Sequence, residues 1–503
     1  MTDAQDRASS GIPGLDNILG GSGFPRNQMY LVEGNPGAGK TTLGLQFLLE
    51  GVRRGEKVAY IVLAESAKAL RRLAHSHGWD IDAVHIIESS DQTDEEAYSL
   101  FHPSEIELSQ TSDTILGEID RLRPDRVVVD SLSEVRLLAQ DPLRYRRQIL
   151  TLRRFFDDRE ITALLLDFVS DGDDRQLESL CHGILQLTQR TAEYGGHRRR
   201  MRVTKLRESA FRDGYHDFCI GRGGLQIFPR LVASEHGRGQ GFKQDTCPSG
   251  LPELDALCGG GLDRGTSTLL LGPAGVGKST LAAVYARAAV ERGEKVAFFV
   301  FDEVPNTLMV RGESMGLDVR KHIDAGRMIV RQVDPAELAP GQFAHQVRRV
   351  VEEGASMVIL DSVNGYHSAM PEEKFLSAHL HELLSYLNQT NVVSLLVMTQ
   401  IGLLGANVAS PVDLSYLADT VILMRYFEAH SEIRQAISVM KRRTGPHERS
   451  IRELYIDSTG IRVGAPLTEF SGVISGQLVY SGRDLLSSPP QARPPDATPQ
   501  HEQ

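Results

Sequence analysis

The chain carries one phosphate-binding signature twice, and that repetition constrains its fold more than any other feature. Residues 34–42 read GNPGAGKTT and residues 272–280 read GPAGVGKST, both satisfying G-x-x-x-x-G-K-[ST]. In such a loop the glycines let successive backbone N–H groups turn inward around a phosphate. The lysine reaches the outer phosphates, and the hydroxyl after it is placed to hold Mg²⁺. A nucleoside triphosphate is the ligand this pattern suits. The residues concerned are Gly34, Gly37, Gly39, Lys40, Thr41 and Thr42 in the first copy, and Gly272, Gly275, Gly277, Lys278, Ser279 and Thr280 in the second. Thr41 and Ser279 are the candidate metal hydroxyls.

Each loop follows an apolar run, Met29-Tyr30-Leu31-Val32 or Thr268-Leu269-Leu270-Leu271. Each precedes apolar residues at helical spacing, Leu43, Leu45, Phe47 and Leu48 in one copy, Leu281, Ala282, Val284 and Tyr285 in the other. A chance Gly-rich turn lacks both flanks. Lys40 and Lys278 stand 238 positions apart, which points to duplication of a whole domain.

The rest of the chain keeps that register. SGIPGLDNILGGSGFPRN at 10–27 is matched by SGLPELDALCGGGLDRG at 249–265. RRGEKVAYIVLAES at 53–66 is matched by ERGEKVAFFVFDEV at 291–304, each a turn feeding a β-branched and aromatic run that predicts a buried parallel strand with acids at its carboxyl end. PDRVVVDS at 124–131 and SMVILDS at 356–362 predict short apolar strands ending in Asp130 and Asp361. A strand-end aspartate behind a phosphate loop holds Mg²⁺ directly or through water. Further strands are predicted at 161–166, 392–399, 201–206 and 437–441. Alternating strands and helices give an α/β fold, mostly parallel, with nucleotide at the carboxyl ends of the strands.

The predicted divisions are a disordered start at 1–7, a first domain at 8–230, a polar linker at 231–245, a second domain at 246–478 and a disordered Pro-rich tail at 479–503. Trp79, in HGWD, reads as a packing anchor. His75 and His77 are two apart and share no helix face, which argues against a metal site there.

Lys and Arg number 55 against 66 Asp and Glu, a net charge of −11 that opposes broad attraction to nucleic acid or anionic membrane. The four cysteines form no C-x-x-C pair, so neither a zinc site nor a disulfide framework is indicated. With no apolar leader in the first residues and no run long enough to span a bilayer, the expected setting is the cytoplasm.

With these pieces placed, the chain resembles the KaiC family of double-domain ATPases from about residue 10 to 476. The resemblance rests on both SG-[IL]-P-x-LD segments, both phosphate loops, Gly78-Trp79-Asp80, Lys205-Leu206-Arg207 after Arg198-Arg199-Arg200, and Lys441-Arg442-Arg443. It implies two tandem RecA-like P-loop NTPase domains, a homohexameric double ring with ATP between neighbours, hydrolysis, and serine/threonine autokinase activity in the second domain of the circadian clock members. It also implies that Lys205 and Arg207, and likewise Lys441 and Arg443, reach the γ-phosphate held by the next subunit, where a cation in trans stabilises developing charge.

Three departures matter. Family members carry two glutamates after the strand that follows the loop, the first acting as general base; here the pairs are Ala64-Glu65 and Asp302-Glu303. Slower hydrolysis is therefore expected in the first domain unless Glu65 takes over, with Asp302 as base in the second and Glu303 in reserve. In VDLSYLADT at 412–420, Ser415 aligns with the phosphorylated serine and Tyr416 stands where threonine is expected, so Ser415 is the phosphosite candidate. The early passage into proline-rich sequence argues against a KaiA-type partner, while a KaiB-like partner on the first domain stays open. Two other classes compete: a nucleotide-gated scaffold with little hydrolysis, and a RecA-like DNA motor. The motor is opposed by the acidic balance and by the lack of Lys or Arg at 402–411.

Overall fold

The computed structural model describes residues 6–88, 114–139, 141–168, 175–191, 195–232, 245–314, 318–334, 336–368, 375–400, 414–429, 431–457, 460–474 and 479–480. The chain divides into two compact units, one drawn from Met1–His236, Asp334–Glu352 and Ala369–Tyr386, the other from Gly237–Val333, Glu353–Ser368 and Leu387–Gln503. The units therefore cut across the expected second domain at 246–478. Within the first unit, for example, the Gly341 N–H donates to the Asp217 carboxylate at 2.7 Å.

The first unit is built on a nine-stranded sheet in the order Gly224–Phe228, His216–Gly221, Arg198–Leu206, Gly183–Arg190, Met29–Gly34, Thr162–Asp167, Arg126–Asp130, Val58–Val62 and His85–Glu88. From Gly183–Arg190 to His85–Glu88 all neighbours are parallel, and the other three strands add an antiparallel extension. The second unit repeats this plan. Its order is Met328–Gln332, Lys295–Val300, Ala355–Asp361, Val393–Thr399, Ser267–Gly272, Thr420–Ala429, Glu432–Arg442, Arg452–Asp457 and Gly460–Pro466, again parallel until the last three.

The central strands read as unbroken apolar runs because both faces are covered. In the first unit Tyr30 and Val32 join a core with Leu43 and Phe47 of the helix Lys40–Arg53, while Met29 and Leu31, pointing the other way, join one with Ile149 and Phe156 of the helix Pro142–Asp157. That alternation holds the phosphate-loop strand in the middle of the sheet. The antiparallel strands carry polar residues on a half-exposed face, so only 201–206 and 437–441 stand out as strands in the sequence.

Charges are also part of the interior. Arg126 is fully buried. Its guanidinium bonds Glu56, donates to Ser9 O at 2.6 Å and Phe47 O at 2.9 Å, and lies over the Phe47 ring. In the second unit Glu294 accepts from Arg264 and Arg292, both at 2.8 Å, and from Ser356 at 2.8 Å. Burial by itself penalises that carboxylate, yet these donors pull its pKa down to about 2.

Both expected disordered ends need correction. Arg7–Ala8 pairs with Phe24–Pro25, and the Arg7 guanidinium donates to Leu19 O at 2.7 Å and Gly23 O at 2.9 Å, so the order begins before residue 8. Val479–Tyr480 pairs with Phe470–Ser471, which takes two residues out of the expected tail. Residues 1–5, 402–411 and 481–503 lie outside the described residues. Among the described residues no helix is long and apolar enough to cross a membrane, and no cluster of three His, Cys, Asp or Glu side chains forms a metal site.

Candidate active site

The two phosphate loops are built alike. Gly39 and Gly277 cap the helices that follow with φ of 100° and 99°, a left-handed conformation that glycine alone adopts cheaply. A Cβ at Gly277 would also stand 2.1 Å from Ile456 Cδ1. Gly34 and Gly272 end the strands, and Gly37 and Gly275 turn the loops at φ 78° and 77°.

Both lysines fold back on their own loops. Lys40 Nζ donates to Gly34 O at 2.5 Å and lies 4.4 Å from the centre of the Phe168 ring. Lys278 Nζ donates to Gly272 O at 3.0 Å and Pro273 O at 2.7 Å. Burial lowers the pKa of each against the pull of nearby carboxylates, Asp130 and Asp167 for Lys40, Asp361 for Lys278, and brings Lys278 to about 8. Thr42 and Thr280 point into the interior, 5% and 7% exposed, so Thr41 and Ser279 are the hydroxyls available to a ligand.

The strand-end carboxylates meet those hydroxyls. Thr41 Oγ1 donates to Asp130 Oδ2 at 2.8 Å, and the buried phenol of Tyr60 donates to the same oxygen at 2.6 Å. Ser279 lies against Asp361, yet Asp361 Oδ2 is buried with no hydrogen-bond partner. Burial raises the Asp361 pKa, only partly offset by Ser279 and Arg311. An acidic oxygen left unsatisfied beside a phosphate loop is chemically suited to Mg²⁺ or its bound water.

The expected bases differ in surroundings. In the second unit the Ser362 hydroxyl donates to the Asp302 carboxylate, while Glu303 is tied to Arg311 at 2.9 Å. In the first unit Ala64 offers no acceptor, and Ser131, at the place of Ser362, bonds Ser133 instead. Glu65 is exposed, and its charge acts on the Tyr60 phenol.

The basic pairs lie at the far end of each sheet. Lys205 pairs in register with Ile184, beside Leu31 and away from Gly34; Lys441 pairs with Val421, beside Leu269 and away from Gly272. Lys205 Nζ donates to Glu178 O at 2.6 Å and Arg207 to Ser179 O at 3.1 Å. Lys441 Nζ donates to Ser415 O at 2.8 Å and Ala418 O at 2.7 Å, and Arg443 to Tyr416 O at 2.7 Å. The structure thus brings the loops together with the aspartates and Asp302, and keeps both basic pairs away from their own loops. Ser415 sits with the second pair.

Several neighbours of the loops escaped the sequence reading. Tyr60 and Phe168 look like ordinary strand aromatics. Asp167, 1% exposed, pairs with Arg136 at 2.7 Å beside the first loop, but an acid ending an apolar strand is common. Ser362 was detectable only as the residue after Asp361.

A doubly repeated loop with a strand-end aspartate on a parallel sheet defines a P-loop ATPase of the RecA-like class. The family model described as "ATPase: KaiC" matches residues 8–232 and again 247–468. The chain belongs to the KaiC family. It is 25% identical over 495 residues to the circadian clock protein KaiC3 of Synechocystis sp., covering 96% of each chain. It is 24% identical over 479 residues to the circadian clock oscillator protein KaiC of Parasynechococcus marenigrum, covering 93% of this chain and 92% of that one. The KaiC of Prochlorococcus marinus is 25% identical over 494 residues, covering 95% and 96%.

Proposed function

We propose that this KaiC-family ATPase assembles into a ring, hydrolyses ATP chiefly in its second half, and autophosphorylates at Ser415, one subunit acting on the next, in signalling or circadian-type timing. The observation that carries the reading is the placing of Lys205 and Arg207, and of Lys441 and Arg443, at the end of each sheet opposite its own phosphate loop. Such cations serve a phosphate only if it is held by another subunit.

On this reading Lys40 and Lys278 leave their loop carbonyls for the outer phosphates of ATP. Thr41 with Asp130, and Ser279 with Asp361, would hold Mg²⁺, which neutralises charge on the phosphates and orients them. Asp302, steadied by Ser362, takes the proton from the attacking water or serine hydroxyl as the oxygen bonds to the γ-phosphorus and the bond to the β-phosphate oxygen breaks. Lys441 and Arg443 of one subunit then stabilise the charge on the group transferred in the next.

A second reading, a nucleotide-gated scaffold, is favoured for the first half alone, because Ala64 lacks a base and Phe168 covers Lys40. A KaiB-like protein is the partner in keeping with either reading. Native mass spectrometry with and without Mg-ATP, followed by phosphopeptide mapping, tests the whole. The expected result is a nucleotide-bound hexamer phosphorylated at Ser415; a monomer that retains no ATP removes the reading.

A further inference from the structure

The two halves differ at one position that the duplication itself defines. Tyr60 pairs with Val128 and Phe298 with Ile359, each two residues before the strand end where Val62 meets Asp130 and Val300 meets Asp361. The first half therefore has a phenol where the second has a bare ring. Tyr60 is 1% exposed, and its hydroxyl shares Asp130 Oδ2 with Thr41. Phe298, also 1% exposed, can donate nothing, and Asp361 Oδ2 is left buried and unpartnered.

We propose that Tyr60 is a positioning residue for Asp130, which satisfies the metal-binding carboxylate without a cation and makes nucleotide retention in the first half only weakly dependent on Mg²⁺. The inference rests on the ATP reading above and extends it to a division of labour. Two hydroxyls already bond one oxygen of the half-exposed Asp130 carboxylate, so a divalent ion gains less by binding there. At Asp361 the same ion or its water supplies a partner that the protein withholds, and binding gains accordingly. Occupancy of the first half would then persist when free Mg²⁺ falls, while the second half empties.

The test uses the full chain and a fluorescent ATP analogue, with retention measured against free Mg²⁺. Lys278→Ala silences the second site so that only the first is read, and Tyr60→Phe is added to it, keeping the ring and removing the hydroxyl. The expected result is a fall in retention without Mg²⁺ and a Mg²⁺ midpoint lowered about tenfold, the weight of one hydrogen bond to a charged group. Phe298→Tyr in a Lys40→Ala chain should shift the second site the opposite way. A Tyr60→Phe midpoint within twofold of its parent, with nucleotide still held at high Mg²⁺, overturns this proposal and leaves the ATP reading standing. No retention by the Lys278→Ala parent at any Mg²⁺ concentration removes the ATP reading of the first half, and the proposal with it.

Discussion

Asp302→Asn isolates proton transfer from everything else at the second site. The amide keeps an oxygen that the Ser362 hydroxyl can still bond, so the side chain stays in place. What it loses is the ability to take a proton. Removal of a general base costs about 10²- to 10⁴-fold, equivalent to about 3–5 kcal/mol of barrier. Glu303 is badly placed to compensate, because its carboxylate is held by Arg311 at 2.9 Å. On the proposed division of labour the first half, with Ala64 at the matching position, adds little turnover to mask the loss. Steady-state ATP hydrolysis by the purified full chain should therefore fall at least about 10²-fold, while nucleotide retention stays near that of the unmodified protein. Retention of a third or more of the turnover by Asp302→Asn, while Lys278→Ala abolishes it, would refute the assignment of the base.

Three further outcomes follow from the packing. Arg126→Met leaves the half-buried Glu56 with Arg26 alone and takes a donor from the Ser9 and Phe47 carbonyls, and an unsatisfied buried group costs about 1–3 kcal/mol, to be read as a lowered denaturant midpoint. Glu294 is held at about 2 against an ordinary 4.5, so the stability it contributes, roughly 3 kcal/mol, is fully present above about pH 4.5 and is lost as the pH falls toward 2; Glu294→Gln should flatten that part of the acid-unfolding curve. Gly277→Ala forces a left-handed φ of 99° on an L-residue and drives its methyl into Ile456, so fluorescent nucleotide titration should show the second site losing affinity without loss of the first.

The central sheet was legible because a parallel strand buried on both faces must be apolar throughout, and the phosphate loops because their chemistry fixes residue types at fixed intervals. Met29–Gly34, Arg126–Asp130 and their repeats are read directly on those grounds. The antiparallel extension was legible only in part, since strands such as His216–Gly221 mix polar and apolar residues without a strict alternation. Arg126 illustrates another limit. A charge at the head of an apolar strand looks solvent-facing until Glu56, seventy residues away, and two carbonyls are seen around it. Tyr60 was hidden for a similar reason: an aromatic in a buried strand signals packing, and its bond to Asp130 depends on a neighbouring strand.

The turn at 414–418 has a wider consequence. Three carbonyls there, of Ser415, Tyr416 and Ala418, and the adjoining Asp419 carboxylate engage Lys441 and Arg443 within one chain. An anion that takes either cation therefore competes with the carbonyls of the segment bearing Ser415. The proposed phosphosite and the cations of the second half are thus held on one short stretch of backbone.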